Sequence, residues 1–390
     1  MLNRLFKFIT SLRLTVVCLG LGILLVWVGT VAQADEGLYQ AQARYFKHWY
    51  VAGLTLFGYR VPLVLPGGYL LGTVLLVNLV AAHIKRFQWS WKKLGIHLTH
   101  AGIILLLVGQ LTTDLLSRET QMRFAEGESR NYSESAQAAE LVFLTDAAKP
   151  DEDEVVAIPE SLLRKHGEIR HPKLPFTVRV QQFYVNARLR ERGPMVDKGP
   201  PPATQGAGPR VVLTAVPETR AMDDRNVPSA ILELSGAPGA SGTWVVSPFL
   251  DPQPFQAGNQ SWRVAMRWTR SYYPFSVQLL KTTHEIYPGT GNPGIPKNFQ
   301  SRVQLEHPAK GEKRPVDIYM NNPLRYEGLT FYQYQMGRDE LDQNRGSSTL
   351  QVVRNPAWLT PYAGCIAVGG GLVIQFLIHL VGFINKRRHA

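Results

Sequence analysis

Charge and cysteine are scarce in this chain. Of 390 residues, 18% are charged, against the ~25% usual for soluble domains. The two cysteines, Cys18 and Cys365, both sit in apolar stretches. With no CxxC pair, the chain cannot carry out thiol–disulfide exchange by itself. No Walker loop, GxSxG or HExxH is present, so P-loop NTPases, nucleophile-elbow hydrolases and zincins are excluded. Internal repeats and low-complexity tracts are also absent.

The missing charge is concentrated. Leu14–Ala32, Val61–Ala82, Leu94–Thr113 and Asn355–Asn385 contain no Asp, Glu, Lys or Arg. Each is long enough for the ~18–20 residues that cross a bilayer core. Mean hydropathy is nevertheless near neutral, at −0.09, so a large polar region must lie between them. The expected fold class is a multi-pass membrane protein: four transmembrane α-helices (about 14–32, 66–84, 94–113 and within 358–390) plus a large extracytoplasmic β-rich domain. The expected divisions are 1–113, 114–357 and 358–390.

The net charge of +12 suggests nucleic acid only until its location is read. Arg4, Lys7 and Arg13 precede the first span, and Lys85, Arg86, Lys92 and Lys93 separate the second from the third. Lys386, Arg387 and Arg388 follow the fourth. These ten cations have no acidic neighbour and leave +2 for the rest of the chain. A basic excess in short loops beside spans marks the cytoplasmic side. Both termini are therefore expected inside, the β-rich domain in the periplasm, and the bilayer, not nucleic acid, as the surrounding partner. Ala32-Gln33-Ala34 resembles a signal-peptidase site. The preceding apolar run exceeds the ~7–15 residues of a signal h-region, so a retained helix is expected.

Residues 38–60 are aromatic-rich and read as an interfacial segment, with Pro66-Gly67-Gly68 opening the second helix. Period-two alternation then predicts strands at Phe176–Val185, Arg210–Val216, Ala230–Leu234, Thr243–Val246 and Trp262–Trp268. Further strands are expected at Phe275–Leu280, Arg302–Glu306, Val316–Met320, Leu329–Gln335 and Thr349–Val353. Short strands between Gly, Pro and Asn turns imply an antiparallel sandwich or open barrel. Residues 145–174 and 188–209 are expected to be long loops.

Three histidines stand out: His97 and His100 in the third span and His379 in the fourth. Ionisable side chains in a bilayer face a bundle interior, a cavity or a cofactor. His97 and His100 share one helix face, so they cannot sandwich a single haem. His100 and His379 each lie seven residues from a cytoplasmic lysine, which allows them to meet at similar depth. The alternative for all three is hydrogen bonding between helices. His83 reads as interfacial, and His166, His171, His284 and His307 as surface or loop residues.

Several segments together resemble the ResB family of system II cytochrome c biogenesis. They are SLRLTVVCLGLGILLVWVGT, HWYVAGLTLF with LLVNLVAAHIKR, KLGIHLTHAGIILLLVG, PVDIYMNNPLRYEGLTFYQYQM and RNPAWLTPYAGCIAVGGGLVIQFLIHL. Residues 145–300 add nothing to the likeness. The resemblance implies a complex with a ResC-like membrane protein that moves haem b outward for covalent attachment to apocytochrome c. A thioredoxin-like thiol reductase is a further implied partner. It also implies a haem-ligating histidine on the helix before the large domain, which in H-x-G context is His100, ahead of His97 and His379. Whether the chain shares in synthetase catalysis is left open. Two other readings stand beside it: a b-type membrane haem protein for electron transfer, and a haem-free periplasmic assembly scaffold.

Overall fold

The computed structural model describes residues 2–56, 59–146, 153–193, 196–219, 225–288, 296–338 and 345–388. They fall into two compact units, 1–118 with 355–390 and 119–219 with 224–354.

The first unit is mainly helical. A short helix, Leu2–Ile9 (α1), turns at Thr10 into Leu12–Glu36 (α2), whose first turn is capped by Ser11 Oγ accepting from Leu14 N. Leu38–Ala41 (α3) and a π-helical turn follow, then a hairpin of Tyr50–Leu56 (β1) and Tyr59–Pro66 (β2). Gly68–Arg86 (α4), Leu94–Leu116 (α5) and, after the second unit, Thr360–Arg388 (α7) complete it. Among the described residues, four helices are long and apolar enough to cross a membrane. Their ends run past the charge-free windows, because a helix continues until a cap stops it. Asp114, for instance, stays in the last turn of α5, where it accepts from Lys47 Nζ at 2.7 Å and from the Tyr69 hydroxyl.

The stretch 38–60, expected to be interfacial, is built as α3, the π-helical turn and the β1–β2 hairpin, and Pro66 ends β2 just before α4 begins at Gly68. Gly67 and Gly68 follow because the chain passes against itself there: a Cβ on either would meet the carbonyl oxygen of His48 or Phe46. Buried Asn78 on α4 donates to Ile9 O at 2.5 Å and accepts from Thr15 Oγ1 at 2.6 Å. It thereby ties α4 to the α1–α2 junction by the polar bonding that joins helices in membranes.

Helices α5 and α7 pack through glycines seven residues apart. A Cβ on Gly95 would lie 2.5 Å from Gly371 O, and one on Gly102 would lie 2.8 Å from Gly364 O. Backbone against backbone at this range needs small residues on both sides. Of the Gly369–Gly371 triplet, only Gly371 meets α5 this closely.

Among the described residues, the strands of the second unit pair antiparallel. In chain order its first strands are Arg118–Ala125 (β3), Ser129–Asp146 (β4), Asp153–Pro159 (β5), Glu168–Ile169 (β6), Thr177–Tyr184 (β7), Ala187–Glu191 (β8) and Val211–Ala215 (β9). Ser229–Ser235 (β10), Gly242–Val246 (β11), Gln253–Ala257 (β12), Gln260–Ile286 (β13) and Pro296–His307 (β14) come next. Glu312–Tyr319 (β15), Leu324–Tyr326 (β16), Leu329–Arg338 (β17) and Gly346–Arg354 (β18) complete the set. A helical turn, Glu160–Leu163 (α6), follows β5.

Two apolar cores hold the β unit together. Sheet β11-β10-β7-β6 packs on the β5-β4-β13-β12 end of the large sheet around Leu141, Phe143, Phe176, Leu232, Trp244 and Trp262, which makes a sandwich. Strands of the order β15-β14-β13-β4-β3-β18-β17-β16 enclose a second core of Met122, Phe124, Phe275, Leu305, Phe331 and Leu350. Ser301 on β14 reaches across it, 2.6 Å from Gln333 Oε1 and 2.7 Å from Ser348 Oγ.

The long strands β4 and β13 join the two cores. The two strands expected around Trp262–Trp268 and Phe275–Leu280 are one, interrupted by a bulge against β4 between Tyr272 and Val277. Pro274, which has no N–H to give, sits in that bulge. The two expected loops also contain structure: β5, α6 and β6 fall in 145–174, and part of β8 in 188–209. Residues 147–152 and 194–195 of those stretches lie outside the described residues.

Candidate functional site

The histidine face of α5 is the most chemically distinctive place in the helical unit. Gly95, Thr99 and Gly102 turn toward α7, while His97 and His100 turn toward α4. There they meet His83. The His83 ring centroid lies 5.2 Å from that of His97 and 5.6 Å from that of His100, near-parallel to the latter. Phe87 closes the group at 4.8 Å from His97. His83 is therefore a member of the cluster and not only an interfacial residue. The signal available in the sequence was its place in the last turn of a helix joined by a short loop to the first turn of its antiparallel neighbour.

Hydrogen bonds distinguish the rings. His100 Nδ1 lies 2.7 Å from Ile96 O. A carbonyl only accepts, so Nδ1 carries the proton and Nε2 keeps its lone pair. In His97 the roles reverse: Nε2 lies 2.9 Å from Gln88 O, and the lone pair falls on Nδ1, which is buried and unpartnered. A backbone carbonyl holding one imidazole N–H is the usual way a ligating histidine is oriented. His100 thus presents Nε2, and His97 presents the nitrogen crowded against its own backbone.

His379 stands apart. Gln375 Nε2 donates to its Nε2 at 3.0 Å, and its ring is otherwise exposed. The Gly95–Gly371 and Gly102–Gly364 register sets His100 level with position 366. His379 is thirteen residues further on, about 20 Å along the axis. The expected meeting of His100 and His379 at similar depth does not occur, because counting from the nearest lysine ignores where the helices cross.

Among the described residues, no group of three or more His, Cys, Asp or Glu is arranged to hold a metal ion. The three rings form no chelating centre. Single-imidazole ligation requires only one free nitrogen, and the donor set fits it at His100 Nε2. Basic residues lie nearby: Lys85 donates to Thr10 Oγ1 at 2.9 Å, Arg86 lies on Thr10 O, and Lys93 reaches Gln88.

The histidines of the β unit divide. His166 is exposed in a left-handed turn, His171 accepts from Lys173 N, and His284 stacks on Phe299 at 4.6 Å. His307 corrects its surface reading: it is buried beside Phe275 and Tyr326, with Nδ1 unpartnered.

Residues 245–347 match the family model of the ResB-like family. A comparison with curated proteins gives no match. The matched stretch runs from β11 to the start of β18 and includes PVDIYMNNPLRYEGLTFYQYQM, whose Glu327-Gly328 turn has φ of 49° and 72°, the twist that suits a tight hairpin. It also includes 245–300, so part of the region expected to carry no likeness does carry it. None of the four long helices falls in the match. The match over residues 245–347 supports assignment of this chain to the ResB-like family.

Proposed function

We propose that this chain is the ResB-like subunit of a cytochrome c biogenesis complex, and that His100 offers Nε2 as one axial ligand to haem b in passage. The ResB-like family is generally associated with cytochrome c biogenesis. The observation that carries the residue assignment is the Ile96 carbonyl on His100 Nδ1, which leaves Nε2 with its lone pair. Neutral imidazole is a common haem-iron ligand. His83 stacks on the His100 ring, and Lys85, Arg86 and Lys93 supply positive charge for carboxylates. When bound, haem supplies the iron and the group to be attached; this chain supplies position and charge.

In this reading the opposite ligand comes from a ResC-like partner. The β unit faces the periplasm and apocytochrome c, and a thioredoxin-like reductase keeps the acceptor thiols reduced. Both termini are cytoplasmic. Reporter fusions after Thr113 and Lys386 should therefore report opposite sides of the membrane.

The decisive experiment measures haem per complex, with protein abundance, after co-purification with a ResC-like protein. His100→Ala should lower occupancy several-fold at unchanged abundance, with partial rescue by added imidazole. His97→Ala should do less. Full occupancy in His100→Ala, or the larger loss in His97→Ala, overturns the assignment.

The electron-transfer alternative asks for two ligands from one chain. His379 is out of reach of His100 and already accepts from Gln375, which counts against that pair. A stable bis-histidine spectrum in the isolated subunit would favour it.

A further inference from the structure

A cleft of about 530 Å³ opens in the helical unit between α4 and α5, within the roughly 300–1,000 Å³ range of small-molecule sites. It lies where α4 begins and α5 ends, with Gln42 and Phe46 of the π-helical turn against one side. Its floor is apolar, made by Leu76 on α4 and by Leu107 and Leu111 on α5. Gly72 also lines it, and a Cβ there would meet nothing within 4 Å. Gly68, one turn earlier, is instead closed off by the Phe46 carbonyl. The space beside Gly72 is therefore not used to pack α4 against its neighbours.

The mouth is polar and carries one charge of each sign. Lys47 Nζ lies 2.7 Å from Asp114 Oδ1, and the Tyr69 hydroxyl donates to the other carboxylate oxygen. Lys47 is exposed, whereas Asp114 is largely covered. An ionised carboxylate has about four lone-pair sites, so two donors leave Asp114 with capacity for another. Gln110 and Thr73 stand one helical turn deeper, each four residues from Asp114 or Tyr69 and so on the same helix face. Both are exposed at the cleft, and among the described residues neither side chain has a hydrogen-bond partner. Gln110 belongs to a charge-free span, where an unpaired amide is costly.

A balanced charge pair, then neutral donors, then an apolar floor is the order of groups along a phospholipid: charged head, ester carbonyls, acyl chain. The head that fits is neutral overall. An anionic head would set its surplus charge against Asp114. A primary ammonium gives N–H bonds to a carboxylate, and a quaternary ammonium has none to give.

We propose that this cleft holds one phosphatidylethanolamine molecule. Its ammonium lies on Asp114, its phosphate on Lys47, its ester carbonyls on Gln110 and Thr73, and an acyl chain against Leu76, Leu107 and Leu111. The inference rests on α4 and α5 being membrane spans, and not on His100 or haem.

The test uses the full-length protein in detergent with defined lipids of identical acyl chains, read by native mass spectrometry as lipids retained per molecule. Phosphatidylethanolamine should fill one saturable site at least tenfold more tightly than phosphatidylcholine or phosphatidylglycerol. Gly72→Leu puts a side chain into open space, leaves the charge pair intact, and should weaken that binding about tenfold in protein of unchanged abundance. Asp114→Asn should bring the ethanolamine and choline lipids within about twofold of each other; should that variant not fold, Gly72→Leu still decides. His100→Ala should retain the lipid, which separates this outcome from the haem-ligand reading. Equal retention of the three lipids, undiminished retention in Gly72→Leu, or a co-purified isoprenoid quinone in place of phospholipid would each overturn the proposal.

Discussion

Gly102 on α5 and Leu232 on β10 are both buried, for opposite reasons. Gly102 is covered because it has no side chain and the backbone of α7 comes up against it. Leu232 is covered because its side chain fills space between two sheets. The contrast extends to the two units. Within the chain, no more than 22% of any candidate span is buried, so the helices rely on a few close backbone approaches and on polar links such as Asn78. Without a hydrophobic drive between apolar helices in lipid, fit and hydrogen bonds must do that work. The β unit has two dense apolar cores and the water-driven burial that fills them. Small residues are therefore the vulnerable points of one unit, and large or charged ones of the other.

The sharpest break should come at Gly102. A leucine there must displace the Gly364 carbonyl and Val368, an overpacking cost of about 1–3 kcal/mol or more, with no alternative position for the side chain. Thermal melts in detergent should show a marked loss of folded protein. Gly369, with open space where a Cβ would go, should tolerate alanine without change. Equal sensitivity at both positions would mean that α5 and α7 do not pack through glycine.

In the β unit the corresponding residue is Arg225. Its guanidinium lies 3.5 Å over Trp268 and donates to Ala136 O at 2.6 Å and to Ser135 O. Burial pulls its pKa down to about 10, which still leaves it charged at neutral pH. Arg225→Ala removes a cation–π contact and two charge-assisted bonds, an expected loss of about 2–3 kcal/mol. Denaturant titration followed by tryptophan fluorescence should show it. An unchanged midpoint would show that side-chain anchoring matters less in this unit than the contrast requires.

The same contrast explains what the sequence discloses. Spans are legible because lipid forbids charge over a known length, so Leu94–Thr113 announces itself. The hairpin of residues 50–66 does not, since its aromatic residues suit an interfacial helix equally well. Strand β4 was missed for a related reason. Its first half, SRNYSESAQ, is polar, and it becomes a strand by pairing with β13 and not by any alternation of its own. The site was half legible. His97 and His100 followed from their depth, whereas His83 looked interfacial beside Lys85 and Arg86 and needed the α4–α5 packing to bring it in. The cleft between α4 and α5 carries no sequence signal, because Lys47, Thr73 and Asp114 come from three separate stretches of chain.

The smallest effect concerns charge, which the spans lack and the β unit uses freely. Arg190 grips both oxygens of Asp197 at 2.7 and 2.5 Å, and Gly193 N–H donates to the same carboxylate at 2.9 Å. The guanidinium first, then that N–H, hold its pKa down to about 2. A carboxyl depressed in the folded state stabilises above its unfolded value near ~4, and that contribution is lost as pH falls toward 2. Hydrogen exchange at the Gly193 amide, corrected for the intrinsic rate, should therefore lose protection between about pH 4 and 2. Asp197→Asn should start with less protection and show little dependence on pH across that window. The pair lies at the surface, with Arg190 exposed and Asp197 partly covered, so the global melting temperature should scarcely move. A steep global acid transition removed by Asp197→Asn would mean that this surface pair carries weight which the contrast assigns to the cores.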